Sequence, residues 1–250
     1  MNADNTAADL ADAMLANVKG LTALLESTQH ALAAGVHGQH LADQKRLRLQ
    51  RRPVPQGIAN QLLGQAVAIH LGRVYHGVSL LEDQAHVLQQ FVRIAADTRP
   101  DAILLAGDIY DRSVPPAEAV RLLDLVLSEL ILELKIPVVM IAGNHDGPDR
   151  LAFGSGLLQR AGLVVRGPVE MDAAPLVLRD AHGEVEIHAL PYAEPALVRS
   201  ASGDDTIADH HAALAAQTAA VRAAQVPGRR TVVVAHAFVQ GGAESESERP

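Results

Sequence analysis

AILLAGDIYD (residues 102–111) and PVVMIAGNHD (residues 137–146) decide the fold of this chain. Each begins with an unbroken apolar run, too short for a buried helix, and ends in glycine followed by polar residues. Such runs read as strands buried on both faces. Between them, PPAEAVRLLDLVLSELILEL (115–134) repeats its apolar residues at helical spacing, with prolines at the start, where a missing N–H costs least. Working outward, VSLLEDQAHVLQQFVRIAAD (78–97) and TIADHHAALAAQTAAVRAA (206–224) are predicted helices, and AFGSGLLQRAG (152–162) a short one. AVAIH (66–70), LVVRG (163–167) and RTVVVAHAF (230–238) are predicted strands. LVLRD and EVEIHAL flank Ala-His-Gly within 176–190 and predict a hairpin. Strand–helix–strand alternation of this kind gives an α/β sheet.

The pattern starts near residue 65. Ahead of it, residues 5–30 place Leu10, Met14, Val18, Leu21 and Leu25 at helical spacing, and KRLRLQRRPVPQG (45–57) reads as a basic, proline-rich linker. The expected organisation is therefore an N-terminal extension over 1–64 and one folded domain over 65–250. Charge follows the same division. The 250 residues carry 21 basic and 29 acidic side chains. Residues 1–64 hold six basic and five acidic groups, and residues 65–250 hold 15 and 24. An acidic body disfavours non-specific nucleic-acid binding, so any DNA contact must be local. With no cysteine, disulfide scaffolds, thiolate metal sites and a cysteine nucleophile are excluded. The acidic start MNADNTAADLADAM lacks the basic and apolar regions of a secretory leader, and no apolar run reaches the roughly 20 residues that span a bilayer. The expected location is the cytoplasm, with no membrane partner.

Open α/β sheets place their sites at the carboxyl ends of strands. Four predicted strands end in polar groups: His70, Asp108, Asn144-His145 and His236. A lone Gly-Asp or Asn-His-Asp is usually turn chemistry, but four endings from separated segments point to one constellation. Carboxylate, imidazole and amide carbonyl form a mixed oxygen and nitrogen set suited to manganese, iron or zinc. In this reading Asp108, Asn144 and His236 bind metal while His145 faces the substrate. Asp146 would orient the His145 imidazole, and Asp111 would hold a ligand in place. Arg73, Arg112 and Arg150 each follow a motif and could meet a phosphate, although a surface arginine is the plainer account of any one of them. His86, His210 and His211 read as surface or packing residues, His182 as a turn residue and His188 as a strand residue. No role is assigned to His30, His37 or His40.

GDIYD (107–111) followed by GNHD (143–146) resembles the calcineurin-like metallophosphoesterase superfamily. Longer stretches resemble, within it, the nuclease component of the bacterial SbcCD complexes. They are HLGRVYHGVSLLEDQAHVL (70–88), DAILLAGDIYDRSVPPAEAV (101–120), IPVVMIAGNHDGPDRLAFGSGLL (136–158) and VAHAFVQGGAESESERP (234–250). The resemblance implies a β-sandwich flanked by helices and holding two metals, manganese above all. It implies that His70 binds one metal, Asp108 bridges both, Asn144 and His236 bind the second, and His145 contacts the scissile phosphate. The implied activity is exonuclease and endonuclease cleavage of double-stranded DNA in repair, recombination and replication. The implied partners are DNA, the coiled-coil ATPase component of the same complexes and a second copy of the chain.

Two departures qualify these implications. The first motif of the family is Asp-x-His, where this chain reads Ala68-Ile69-His70. The family's later Gly-His-x-His motif would follow beyond Pro250. The expectation is a sandwich truncated at its C-terminal end, one well-formed metal site at most, and impaired nuclease activity. The alternatives are a catalytically dead domain that only dimerises or binds a partner, and a metallophosphoesterase for another phosphoester.

Overall fold

The computed structural model describes residues 63–64 and 69–237. The helix expected over 5–30, the basic linker, Ala68 and everything from residue 238 lie outside the described residues.

In chain order the elements begin with β1 (Leu63–Gly64), β2 (Val74–Tyr75), β3 (Val78–Ser79), α1 (Leu81–Thr98) and β4 (Ile103–Ala106). Next come α2 (Ala117–Ser128), β5 (Val138–Ile141), α3 (Pro148–Leu151), α4 (Ser155–Ala161), β6 (Leu163–Arg166), β7 (Leu176–Asp180) and β8 (Gly183–Leu190). α5 (Pro195–Ser202), α6 (His210–Ala224) and β9 (Arg230–Ala235) follow. A π-helical turn, Glu129–Glu133, extends α2 and closes with Leu134 N–H donating to Glu129 O at 2.9 Å.

The strands form two main sheets. β1-β4-β5-β6 is parallel throughout, with Ile103 opposite Val138 and Val138 opposite Leu163. β7-β8-β9 pairs β7 antiparallel and β9 parallel to β8. The period-2 rule sorts the side chains of the first sheet between two cores. Ile103, Leu105, Val138, Met140, Leu163 and Val165 face the helices, where they meet Leu88, Val92 and Ala95 of α1 and Leu123 and Val126 of α2. Leu104, Val139, Ile141 and Val164 face the second sheet and meet Ile187, Ala189 and Val234. The result is a sandwich with helices outside it. Burial on both faces explains why strands β4 and β5 read as continuous apolar runs rather than alternating ones.

Two expectations change. The strand over 66–70 is not where the sequence put it. The paired residues are Leu63–Gly64, Ile69 and His70 are not in a strand, and 65–68 lie outside the described residues. His70 instead sits in a turn with a left-handed φ of 45°. Helix α5 has no counterpart in the sequence reading, because PALVRSAS has too few apolar repeats to stand out. Its first helical residue is proline, the position where that residue fits best. Among the described residues no helix is long and apolar enough to cross a membrane.

Candidate metal centre

The site forms where the ends of β4, β5 and β9 meet the turn after β1. Asp108 follows β4 through Gly107, and both residues take positive φ, 95° at Gly107 and 48° at Asp108. That kink turns the carboxylate off the strand end. Gly143 is required by close approach, and Gly107 by close approach as well as by its positive φ. A Cβ on Gly107 would strike the His236 ring, and one on Gly143 would strike the Asp108 carboxylate. The turn carrying His70 continues the sheet by hydrogen bonding alone. His70 N–H donates to Asp108 O at 2.9 Å, Leu71 N–H to Ile109 O at 2.9 Å, and Asp111 N–H to Leu71 O at 3.1 Å.

These contacts bring together the predicted residues. His70 Nε2 lies 3.4 Å and His236 Nε2 3.5 Å from the same Asp108 oxygen, Oδ2. Asn144 Oδ1 is 3.0 Å from His236 Nε2. Ligand atoms of His70, Asp108 and His145 all fall within 4.8 Å of one another. Asp108 is 6% exposed, whereas Asn144 and His145 are open to solvent, so the corner has one buried side and one accessible side.

The hydrogen-bond chemistry shows what this corner would hold. His236 Nδ1 lies 2.8 Å from Ala106 O, a carbonyl that can only accept, so Nδ1 carries the proton. With the ring neutral Nε2 is a lone pair, and with the ring protonated it is a donor. It faces Asn144 Oδ1 and Asp108 Oδ2, which are acceptors. A cation lodged among the three groups, or an Nε2–H donating to Asn144 Oδ1, would satisfy them. The donor set, imidazole with carboxylate and amide oxygen, suits a divalent first-row metal. Asp108 is the group placed to be shared, with one histidine on either side. Burial pushes the Asp108 carboxyl up, but hydrogen bonds from His70 and from His145 N–H, with the nearby His236 and His70 rings, outweigh it and hold the group below the usual aspartate range.

Two supporting roles differ from expectation. Asp146 does not orient His145. Its buried carboxylate accepts from Gly143 N–H at 2.8 Å, Tyr110 N–H at 2.9 Å and Ile109 N–H at 3.1 Å, tying the loops after β4 and β5 into one unit. The His145 ring is instead held by Asp111 through its backbone, Nδ1 donating to the carbonyl at 3.0 Å. The Asp111 carboxylate turns away, 4.0 Å from Arg73 Nε. His145 also meets His70 edge-on, with ring centroids 4.9 Å apart. Tyr192, absent from the sequence reading, stands edge-on to His236 at 6.1 Å just after the end of β8, where the strand-end rule would have found it. Its hydroxyl donates to Glu194 Oε1 at 3.1 Å.

The histidines read as surface, turn or strand residues lie in such places, while His30, His37 and His40 fall outside the described residues. His86 is exposed and 2.6 Å from Gln90 Nε2, and His210 is exposed beside Glu194. His182 lies in the turn between β7 and β8, and His188 is buried within β8.

A buried carboxylate between two imidazoles, with an amide oxygen beside them and a further histidine at the open edge, is a donor set that could hold a divalent metal. The sequence model of the calcineurin-like phosphoesterase family matches residues 69–239, well over half the chain and every residue of this corner, and the chain belongs to that family.

Proposed function

We propose that the chain is a manganese-dependent DNA nuclease that cleaves phosphodiesters at double-stranded ends and hairpins, acting as the nuclease component of an SbcCD-like repair complex. Family membership carries the coarser activity, hydrolysis of phosphoesters with divalent metals. The observation that carries the reading is the shared Asp108 oxygen between His70 and His236, with His145 exposed beside it.

His70, Asp108, Asn144 and His236 would hold the metal. When bound, it supplies an activated water nucleophile and neutralises phosphate charge. In hydrolysis the water oxygen forms a new bond to phosphorus, the bond to the leaving oxygen breaks, and that oxygen needs a proton. His145 is placed for this exchange. Its Nδ1 is fixed on the Asp111 carbonyl, so Nε2 points away from the backbone, free to donate to a phosphate or leaving oxygen when protonated. The Asp108 kink and the Asp146 tie hold these groups before substrate arrives, which is the electrostatic preorganisation such chemistry needs.

Support for a nucleic acid, as against a small ester, comes from the long stretches that resemble the SbcCD nuclease component and from arginines around the corner. Arg73, Arg112 and Arg150 are all exposed, and they leave the loops that carry His70, Asp108 and Asp146. Arg150 Nη1 is braced on Ser113 O at 3.0 Å. These arginines could meet phosphate locally, although Arg73 also lies 4.0 Å from the Asp111 carboxylate. The coiled-coil ATPase and a second copy of the chain are the partners proposed with this reading.

The test compares linear duplex DNA with a chromogenic phosphodiester in the presence of Mn2+. Degradation of the duplex supports the nuclease. Turnover of the small ester alone would replace it with a phosphoesterase of another specificity. Inertness toward both, in a folded chain, would leave a domain that binds partners without catalysis.

A further inference from the structure

We propose that Gln84, on helix α1, is a positioning residue for His70, setting where that imidazole stands relative to Asp108. The role rests on reading this corner as a metal centre, although the contacts themselves do not depend on it.

The turn that carries His70 is costly to form. Its φ of 45° is a left-handed conformation that a non-glycine residue adopts only at a cost. An isolated bridge, Leu71 with Tyr110, links it to the strand direction of the parallel sheet. From one side His70 N–H donates to Asp108 O, and within the turn Arg73 N–H donates to His70 O at 3.2 Å. On the other side stands a side chain fourteen residues further along the chain. Gln84 Nε2 donates to His70 O at 2.8 Å and to Ile69 O at 3.1 Å, while Gln84 Oε1 accepts from Gly72 N–H at 3.0 Å. All three bonds go to the backbone on either side of the His70 ring, so they fix the turn without occupying the imidazole.

A primary amide is what this arrangement needs. Glutamate could accept from Gly72 but would press a carboxylate on two carbonyl oxygens. Lysine could donate but not accept, methionine could do neither, and asparagine is one methylene short. Gln84 is also well anchored. Four residues on, Leu88 is buried, and with Val92 and Ala95 it packs α1 onto the first sheet. A half-buried glutamine in line with that apolar face is the sequence signal that could have drawn attention to it. Without the amide, the bonds to Ile69, His70 and Gly72 are lost from this side, and the turn relaxes toward a conformation that moves the ring away from Asp108.

The test uses the chain as it stands, with the variants Gln84→Met and Gln84→Glu and two readouts. Mn2+ affinity is measured by calorimetry. The His70 ring resonances are followed by NMR without metal and assigned against His70→Ala. Expected are affinities about tenfold weaker, the scale seen when a group supporting a ligand is removed. His70 signals should shift while those of His236 stay in place, and the Gln84 substitution should have no effect in a His70→Ala background. A folded Gln84→Met chain with unchanged affinity and unchanged His70 signals overturns the proposal. So does a loss of equal size in the His70→Ala background, because Gln84 would then act elsewhere. Should Gln84→Met not fold, Gln84→Glu is read by the same criteria. If the unmodified chain takes up no Mn2+, the metal reading fails, and the His70 signals alone decide for or against Gln84.

Discussion

Two places in this molecule bury a carboxylate beside histidine, and they are built on opposite terms. At the corner where the loops after β4 and β5 meet, Asp146 is 5% exposed and its two oxygens accept three backbone N–H groups. Within β8, Glu186 is 2% exposed and His188 5%. There Arg229 binds one Glu186 oxygen at 2.7 Å, while the other oxygen and His188 Nε2 lie 3.7 Å apart, each without a hydrogen-bond partner among the described residues. The first arrangement satisfies its polar atoms with backbone that carries metal-binding residues. The second leaves two buried atoms unsatisfied among the described residues. Buried polar groups stabilise when their network is complete and cost stability when it is not.

The comparison can be broken or sharpened by substitution. The largest effect is expected at Asp108. Asp108→Asn keeps the shape but removes the shared charge, and phosphoester hydrolysis in Mn2+ should fall on the order of a thousandfold, as followed by initial rates. Next is Asp146→Ala. It orphans three N–H groups at the loop junction and should cost about 3 kcal/mol or more in urea unfolding. A cost below about 1 kcal/mol would show that the junction holds without its carboxylate. His188→Leu should behave in the opposite sense. Removing an unpartnered buried nitrogen should leave stability within about 1 kcal/mol of the parent or raise it. A large loss there would mean that the pair on β8 is satisfied in solution after all.

The smallest expected effect is the pH response of Asp108. Its folded pKa lies below the ordinary aspartate value. Its contribution to stability is thus complete above the unfolded pKa and disappears as pH falls through the lower folded one. Between those limits the acid limb of a stability profile should be shallower in Asp108→Asn than in the parent. Equal slopes would show that the group is not held as described.

Much of this is legible in the sequence, and the failures have a common cause. β4 and β5 declare themselves because strands buried on both faces must be apolar throughout, and their polar ends mark Asp108, Asn144 and His145 directly. His236 follows from the same rule applied to β9. His70 reads to the right site but on the wrong local structure. It lies in a left-handed turn set by hydrogen bonds to Asp108 and Gln84, and neither is near it in sequence. Asp146 misleads for the same reason. Its proximity to His145 along the chain suggests a contact, whereas its partners are backbone donors brought to it by the register of β4 against β5. Periodicity reports which face of an element is buried. It does not report which distant N–H will face a carboxylate once two strands lie side by side.

The placement of His236 has one more consequence. His70, Asp108 and Asn144 come off the first sheet or its loops, whereas His236 comes off β9, which belongs to the second. A divalent cation held among them would be a rivet through both layers of the sandwich, not an addition to one. The cohesion of the two sheets then becomes a function of free metal concentration, growing with the logarithm of its ratio to the dissociation constant. A cell that withheld the ion would loosen the scaffold in the same act that silenced the enzyme.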